Sequence, residues 1–267
     1  KGMKLPTLDI DFETRSTVDL TKTGVFVYAE HQSTDIWCVA WSIDGEDPNL
    51  WYPGQPVPYR VMAHIERGFP LYAHNAMFER TLWRHVLAPK YGWPEPHLSQ
   101  WVCTAAMAAA MALPRDLERA CAALGLLQQK DMEGHRLMLR MSKPRGWSLA
   151  GRPLWWDVPD RIARLGEYCK NDVRAQIALR RKLRPLRPKE REIWMLDMLI
   201  NERGVTVDTE SVAHAVAVVR TALDRLDNRL ADLTSGAVTK ASQTARLTDR
   251  LRKQGLEVSS LDKSHMK

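Results

Sequence analysis

Apolar and acidic residues alternate strictly along residues 8–13, which read Leu-Asp-Ile-Asp-Phe-Glu. Successive side chains of a strand point to opposite faces of a sheet, so this pattern predicts a strand with acids on one face and apolar residues on the other. Apolar runs at residues 34–43, 50–52 and 70–74 predict three more strands. An Asp-Gly turn signal follows the first of these runs and predicts a hairpin with the second.

Helical periodicity dominates most of the remaining chain, and Pro or Gly separates one helix from the next. Residues 143–158 interrupt this pattern because they are rich in Pro and Trp, and we expect them to form a loop. The proline at position 159 suits the first turn of the helix that follows. The predicted helices cover residues 61–68, 78–87, three segments within 102–142, and 159–183.

The order of these elements predicts a mixed α/β domain over residues 1–186 and a small all-helical extension over residues 187–267. Within the extension, apolar residues recur at alternating intervals of four and three from Val212 to Leu233. This spacing is typical of a coiled-coil-like stripe on a long helix that begins at Asp208. We expect the stripe either to promote dimerisation or to pack on the α/β domain.

The composition of the chain limits the classes of protein to which it can belong. The chain has 267 residues, of which 45% are hydrophobic and 27% charged, as in ordinary globular proteins. No apolar run is long enough to cross a membrane and no secretory signal is evident, so we expect a cytoplasmic protein without a membrane partner. Four cysteines without metal-ligand spacing fit a reducing compartment. Lys and Arg outnumber Asp and Glu by 39 to 32, which favours an acidic polymer as partner.

Candidate chemistry lies in three short acidic motifs at strand ends or on a helix face. Alternate residues of a strand share a face, and so do residues four apart on a helix. Carboxylates placed side by side repel unless a cation holds them, and hard divalent cations prefer oxygen ligands. Two such cations can clamp both oxygens of a phosphoryl displacement, so the set predicts a two-metal phosphodiesterase. The motifs are Asp11-x-Glu13, Asn75-x-x-Phe78-Glu79 and Tyr168-x-x-x-Asp172.

Each motif alone also has a structural interpretation. The first would be a solvated strand face, and Asp9 has the same spacing to Asp11 as the motif itself. The second would be a helix start, with Asn75 as cap, Glu79 in the first turn and the adjacent His74 packed or capping. The third would belong to an amphipathic helix whose tyrosine packs and whose aspartate faces water. The joint occurrence of all three in this order favours the metal site.

The three segments closely resemble motifs I, II and III of the DEDD 3′–5′ exonucleases, a branch of the ribonuclease H-like fold, and Tyr168 matches their tyrosine subtype. Longer stretches resemble the exonuclease domain of bacteriophage-type family A DNA polymerases, and others the opening helices of the polymerase part. Together they cover nearly the whole chain. One position departs from the family, because Glu79 stands where Asp is usual. The exonuclease-like stretches are residues 8–16, 28–45, 73–80, 130–145 and 167–176, and the polymerase-like ones are residues 200–208 and 233–255.

The resemblance implies a ribonuclease H-like mixed β-sheet flanked by helices and a proofreading 3′–5′ exonuclease that uses two Mg²⁺ or Mn²⁺ ions. Asp11 would bridge both ions, and Glu13 and Asp172 would complete the tighter site. Glu79 would hold the second ion, directly or through water, and Tyr168 would orient the attacking water. The residues implied to approach or shape the pocket for the terminal nucleotide are Thr14, Asn75 and Phe78.

A strand-binding surface is expected in residues 143–158. Lys143, Arg145 and Trp147 mix cations with an aromatic ring, and Trp155 and Trp156 follow. Cations can track phosphates and aromatic rings can stack on bases, which suits single-stranded DNA or a frayed primer 3′ end. The alternative is a loop whose tryptophans pack on the core.

Two other functions stay open. An RNA-processing exoribonuclease, resembling the ribonuclease D branch, would use the same chemistry, although the polymerase-like segment after Gly204 argues against it. A catalytically degenerate domain that binds single strands is favoured only by Glu79. Only about 80 residues follow position 186 and the family's palm motifs are absent, so we expect no polymerase activity. The chain would be a fragment whose partner is the remainder of a polymerase chain. The sequence does not determine its oligomeric state.

Overall fold

The computed structural model describes residues 5–126, 131–258 and 260–261. The chain forms two compact units, Lys1–Arg203 and Gly204–Lys267. Residues 187–203, which the sequence analysis assigned to the helical extension, therefore lie in the first unit. They are held there by the buried side chain of Met198 and by an ion pair between Arg80 and Glu202.

A five-stranded mixed sheet forms the centre of the first unit. The central strand β1 (Leu8–Arg15) is antiparallel to β2 (Asp35–Ile43) and parallel to β4 (Leu71–Ala73). On one side β2 pairs antiparallel with β3 (Asn49–Trp51), and on the other β4 pairs parallel with β5 (Trp101–Cys103). The strand order is β3-β2-β1-β4-β5. The predicted strands and hairpin are confirmed, whereas β5 was not predicted because a helix begins at the next residue, Thr104, and the helical pattern masks the short strand.

Helices flank the sheet, and the predicted helices are confirmed with bounds that differ by a few residues. The helix α1 (Leu20–Glu30) was not predicted, because Gly24 adopts a left-handed φ of 78° within it and interrupts the periodicity. A π-helical turn, Trp83–Leu87, joins α3 (Met77–Leu82) to α4 (Ala88–Tyr91). The helices are α1 (Leu20–Glu30), α2 (Tyr59–Glu66), α3 (Met77–Leu82), α4 (Ala88–Tyr91), α5 (Thr104–Ala109), α6 (Leu117–Ala123), α7 (Met132–Met141), α8 (Pro159–Arg180) and α9 (Pro188–Arg203).

The apolar face of β1 packs on a core rich in tryptophan. Trp83 lies 5.2 Å from Trp93 and 5.8 Å from Trp101 between ring centroids, in edge-to-face contacts. Phe12 of β1 contacts Trp83 at 5.9 Å. Such aromatic pairs add to the stabilisation that burial of their large apolar surface supplies. The acidic face of β1 is therefore left for the opposite side of the sheet.

The helix α8 packs on β1 and β2. Its close approach to the sheet depends on Gly166, where a β-carbon would lie 2.5 Å from the Tyr52 hydroxyl and 2.8 Å from Leu50. This approach brings the motif on α8 to the motif on β1.

Residues 143–158, which were predicted to be a loop, contain a short hairpin. Its strands β6 (Gly146–Trp147) and β7 (Pro153–Leu154) pair antiparallel. Each strand has two residues, so neither could show an alternating pattern in the sequence.

The second unit contains α10 (Thr209–Leu233) and α11 (Thr244–Lys253). The predicted cap is confirmed, because the Asp208 carboxylate accepts a hydrogen bond from the Ser211 backbone amide at 2.9 Å. The stripe from Val212 to Leu233 is largely exposed, and no residue of α10, all of which are described, is buried. Within the described ranges, no helix has both the length and the hydropathy needed to cross a bilayer.

Candidate metal centre and nucleotide pocket

Residues of all three acidic motifs line one cavity of about 400 Å³. They arrive on separate elements, since the first motif lies on β1, Glu79 on α3 and the third motif on α8. Segments far apart in sequence therefore meet in one place. The predicted site residues that line the cavity are Asp11, Glu13, Thr14, Asn75, Phe78, Glu79, Lys143, Tyr168 and Asp172.

A β-bulge in β2 lies beside the point where β1 enters the cavity. The register with β2 shifts between Glu13 and Thr14, so that Trp37 has no partner across the ladder. Bulges bend a strand and redirect its side chains. The Trp37 indole nitrogen also donates a hydrogen bond to the Met141 carbonyl at 2.9 Å, which ties the end of α7 to this edge of the site.

Asp9 lies on the same face of β1 but has a structural partner. Its buried carboxylate accepts hydrogen bonds from the Arg180 guanidinium at 2.9 and 2.8 Å, and from the Gln176 amide at 3.3 Å. Burial raises the pKa of Asp9, and the Arg180 contact opposes that rise. Asp9 therefore has a cationic side chain as its partner, which distinguishes it from Asp11 and Glu13 on the same face.

The remaining carboxylates of β1 and α8 repel one another. Burial raises the pKa of Asp11 to about 6, against hydrogen bonds from the Cys169 thiol and the Phe12 backbone. Burial, and next the charge of Asp11, raise the pKa of Asp172 to about 8. Burial first, and then the charges of Asp11 and other neighbours, raise the pKa of Glu13 well above its usual value. A bound cation would relieve this repulsion.

Glu79 carries a buried carboxylate oxygen to which the described residues supply no hydrogen bond. Its side chain is only 3% exposed, and its Oε2 atom has no hydrogen-bond partner among the described residues. Burial and then the charge of Asp11 raise its pKa well above the usual range. Candidate ligand atoms of Asp11, Glu13 and Cys169 also lie within 4.8 Å of one another. A buried carboxylate oxygen without a hydrogen-bond donor suits a hard divalent cation, so the carboxylates of Glu79, Asp11 and Glu13 fit a metal centre better than the Cys169 thiol does.

Tyr168 faces the same carboxylates. Burial raises the pKa of its phenol well above the usual value, and the charges of Asp172 and Glu13 add to that rise. The phenol therefore stays protonated at neutral pH. Cys169, the next residue, points toward the sheet, and its thiol lies 3.4 Å from the Asp11 carbonyl oxygen and 3.5 Å from the Asp11 carboxylate.

Asn75 does not cap α3, which corrects the structural interpretation of the second motif. The capping position is Ala76, and no side chain there bonds to the helix start. Asn75 has a left-handed φ of 72°, a conformation that Asn tolerates better than most residues. His74 is packed as predicted, since its ring nitrogens lie 2.9 Å from the Thr104 hydroxyl and 2.7 Å from the Arg115 carbonyl oxygen.

Aromatic and hydroxyl groups form another wall of the cavity. The Tyr28 hydroxyl lies 2.9 Å from the Thr14 hydroxyl, and the Tyr28 ring lies 6.5 Å from Phe78. Burial, and to a lesser extent the charge of Glu13, raise the pKa of Tyr28 to about 12.

The predicted strand-binding residues divide into three groups. Lys143 lines the cavity and lies 3.6 Å from the Asp19 carboxylate. Arg145 and Trp147 do not line it, and both are exposed on the hairpin. The other two tryptophans are partly buried and pack against a small cluster with buried Met141, as the core alternative predicted. They are Trp155 and Trp156.

Sequence reasoning missed several residues of the cavity. Those at the start of α1 carried a local signal, because Asp19 is a helix-capping residue type and accepts a hydrogen bond from the Thr21 amide at 3.0 Å. The others were missed because their place in the cavity depends on how elements distant in sequence pack, although His74 adjoins the second motif. The missed cavity residues are Val18, Asp19, Leu20, Thr21, Tyr28, His74, Met138, Leu139 and Ser142.

Comparison with known proteins relates the chain to a phage protein. A protein named DNA polymerase from Bacillus phage SP02 is 32% identical over 272 residues. The alignment covers 97% of this chain and 40% of the relative, so the chain spans about two fifths of that protein's length. No family model matches the chain.

Proposed function

We propose that this chain is a metal-dependent 3′–5′ exonuclease that hydrolyses phosphodiester bonds at DNA 3′ ends. The observation that carries the proposal is the convergence of buried, mutually repelling carboxylates from β1, α3 and α8 in one cavity. Such a set is suited to two-metal hydrolysis of phosphate esters. The similarity to a phage DNA polymerase supports DNA as the substrate and proofreading as the role.

We propose further that the α/β unit has the ribonuclease H-like fold of the DEDD exonucleases. The strand order β3-β2-β1-β4-β5 supports this, as do the antiparallel pairs on one side of β1 and the parallel pairs on the other. The acidic motif on the central strand also supports it. Residues after the exonuclease part are proposed to begin the helical part of a polymerase, because the similarity extends over 97% of the chain.

The proposed cofactors are two Mg²⁺ or Mn²⁺ ions. When bound, such ions would neutralise phosphate charge and lower the pKa of a water molecule. Asp11 is proposed to contact both, because its charge raises the pKa of all three other carboxylates. Glu13 and Asp172 would share one ion, since the charge of Asp172 also acts on Glu13. Glu79 would serve the other ion.

The remaining cavity residues are proposed to hold the substrate and the attacking water. Tyr168 keeps its proton at neutral pH, so its hydroxyl can orient a water molecule by hydrogen bonding. Phe78 offers a ring to the terminal base, and Asn75 and Thr14 offer polar atoms to the sugar and the 3′ end. Lys143 would attract the phosphate.

The proposal is tested by incubating a 5′-labelled single-stranded DNA oligonucleotide with Mg²⁺, Mn²⁺ or EDTA. We expect a ladder that shortens from the 3′ end, requires metal and is lost in the Asp11→Asn, Glu13→Gln variant. Glu133→Gln, an exposed charge removal on α7, is the matched control. Faster degradation of the matching RNA would favour the RNA-processing alternative. Binding without cleavage in either metal would favour a degenerate strand-binding domain.

We also propose that the chain works in the cytoplasm and that its partner is the rest of a polymerase chain. Four free cysteines, all buried, are compatible with a reducing compartment. The chain spans only 40% of its relative's length, which leaves most of that protein to supply such a partner.

A further inference from the structure

The β6–β7 hairpin exposes a large apolar pair at its tip. Trp147 is 60% exposed and Leu149 is fully exposed. The tip is nevertheless ordered by its own hydrogen bonds. The Ser148 amide donates to the Arg152 carbonyl at 2.8 Å, the Arg152 amide donates to the Ser148 hydroxyl at 3.0 Å, and the Arg145 amide donates to the Leu154 carbonyl at 2.8 Å.

The base of the hairpin is fixed to the body of the first unit. The Arg15 guanidinium stacks between Trp37, at 4.3 Å from the ring centroid, and Trp155, at 5.1 Å. Trp156 similarly lies against Arg161 at 4.7 Å. These contacts hold the base in place, so the exposed tip is presented in a defined position.

Charge along the hairpin has a single sign. Residues 142–156 contain three cations, Lys143, Arg145 and Arg152, and no acidic residue. Both arginines are exposed, and Lys143 lines the cavity. Lys143 lies 3.6 Å from the Asp19 carboxylate outside this segment. An exposed aromatic residue beside two exposed arginines complements a strand that carries phosphates on one side and base faces on the other.

The hairpin lies within reach of the cavity. Trp147 follows Lys143 by four residues, so the two are separated by at most about 14 Å. That span equals the rise of about four stacked nucleotides at 3.4 Å each. A strand whose 3′ end occupied the cavity would therefore pass the hairpin within its last few nucleotides.

We infer that the hairpin guides single-stranded DNA into the cavity. Trp147 and Leu149 contact unpaired bases upstream of the terminal nucleotide, and Arg145 and Arg152 contact the phosphates between them. The inference rests on the proposed exonuclease function. The hairpin would give the protein a preference for long unpaired strands over short ones, which the cavity alone does not provide.

The test compares two substrates, a dinucleotide, which has no bases upstream of the two that flank the cleaved bond, and a 16-nucleotide single strand. In the Trp147→Ala, Leu149→Ala variant, we expect kcat/KM for the 16-mer to fall by about tenfold, the size of one lost base stack. Hydrolysis of the dinucleotide should stay unchanged. Tyr59→Ala is the matched control, because it removes an exposed aromatic ring, 78% exposed against 60% for Trp147, from α2, outside the cavity. An equal loss on both substrates, or no loss on the 16-mer, would overturn the inference.

Equilibrium binding tests the guiding role of the hairpin independently of the proposed exonuclease activity. Fluorescence anisotropy of a labelled 16-mer in EDTA should show about tenfold weaker binding by the double variant. This result would support the guide even if no cleavage occurred. The Arg145→Gln, Arg152→Gln variant should reduce the slope of log Kd against log salt by about 1.4, or 0.7 for each lost phosphate contact. The control variant Arg67→Gln removes an exposed charge just after α2 and should leave this slope unchanged. Unchanged binding in both hairpin variants would mean that the apolar pair serves another partner, such as a protein, and would refute the inference.

Discussion

Gly134 on α7 packs so closely against Tyr168 on α8 that a β-carbon at position 134 would lie 2.5 Å from the tyrosine ring. The same β-carbon would lie 2.6 Å from the Asp131 carboxylate, which caps α7 and forms an ion pair with Arg164 of α8. The absence of a side chain at residue 134 is therefore what allows α7 to set the position of the Tyr168 phenol.

Gly134→Ala is expected to lower hydrolysis without unfolding the protein. Alanine favours a helix interior by about 0.5–1 kcal/mol over glycine, so a loss of activity would come from displacement of Tyr168. A displacement near 1 Å can cost about 100-fold in rate, and we expect a fall in kcat of between 10- and 100-fold. Steady-state kinetics with a DNA oligonucleotide measure this. The exposed Arg136→Ala on the same helix should retain full activity, and a fully active Gly134→Ala would contradict the assignment.

We expect Glu79 to take part in metal binding, although the DEDD exonucleases that this segment resembles usually have the shorter Asp at this position. Among the residues that the structure describes, none hydrogen-bonds to the buried Oε2 atom of Glu79, and the charge of Asp11 contributes to the raised pKa of its carboxyl group. Glu79→Gln preserves the shape and removes the charge, and we expect metal-dependent hydrolysis to fall by about 10- to 100-fold. Glu79→Asp keeps the charge and should retain more activity than Glu79→Gln at saturating Mn²⁺. Equal activity of Glu79→Gln and the wild type would show that this residue takes no part in metal binding.

The metal-free protein should lose stability as the pH rises from about 4 to 8. In the folded state the pKa of Asp11 is raised to about 6 and that of Asp172 to about 8, whereas an unfolded aspartate titrates near pH 3.9. The folded state therefore binds more protons than the unfolded state in this window, and its free energy of unfolding falls with increasing pH. Thermal melts in EDTA at pH 5.5 and pH 8 should show the lower Tm at pH 8. Asp172→Asn should flatten this dependence between pH 6 and pH 8.

Divalent cations should reverse that loss. A cation that binds only the folded state at 100 times its Kd adds about 2.7 kcal/mol to the free energy of unfolding. Mn²⁺ should therefore raise Tm at pH 8, with a smaller effect at pH 5.5, where protons compete for the same carboxylates. In Asp11→Asn the metal-induced shift should be much reduced. A shift of the same size in that variant would argue that the cation binds elsewhere.

Asp9 and Arg180 should contribute to folding and not to metal binding. Arg180→Met would leave the buried Asp9 carboxylate without its cation, and we expect a loss of about 3–5 kcal/mol in the free energy of unfolding by urea. Arg174→Met on the same helix removes an arginine that pairs with the exposed Asp47, and it should have little effect. Asp9→Asn should keep the Mn²⁺-induced rise in Tm, unlike Asp11→Asn. A similar loss of the metal response in both would contradict this division of roles.

Much of the architecture could be predicted from local pattern. The two faces of β1 follow from strict alternation, and the structure places its apolar residues against the tryptophan core and its acids toward α8. The helix that carries Tyr168 and Asp172 was predicted from its proline start and its length. In contrast, β5 runs directly into the helix α5, and the strands of the β6–β7 hairpin have only two residues each, so no local pattern separates these strands from their neighbours.

The sequence by itself determined the donor types of the candidate site, because the types and local spacing of Asp11, Glu13, Tyr168 and Asp172 are properties of single elements. Tertiary structure alone decided which of the acids on β1 carries a cationic side chain as its partner. Asp9 and Glu13 have the same spacing from Asp11, yet Arg180 approaches only Asp9. The same holds for the tryptophans after position 143, since burial is set by the neighbours that a fold brings from distant segments. Local periodicity records which way a side chain points, and only packing determines what it meets.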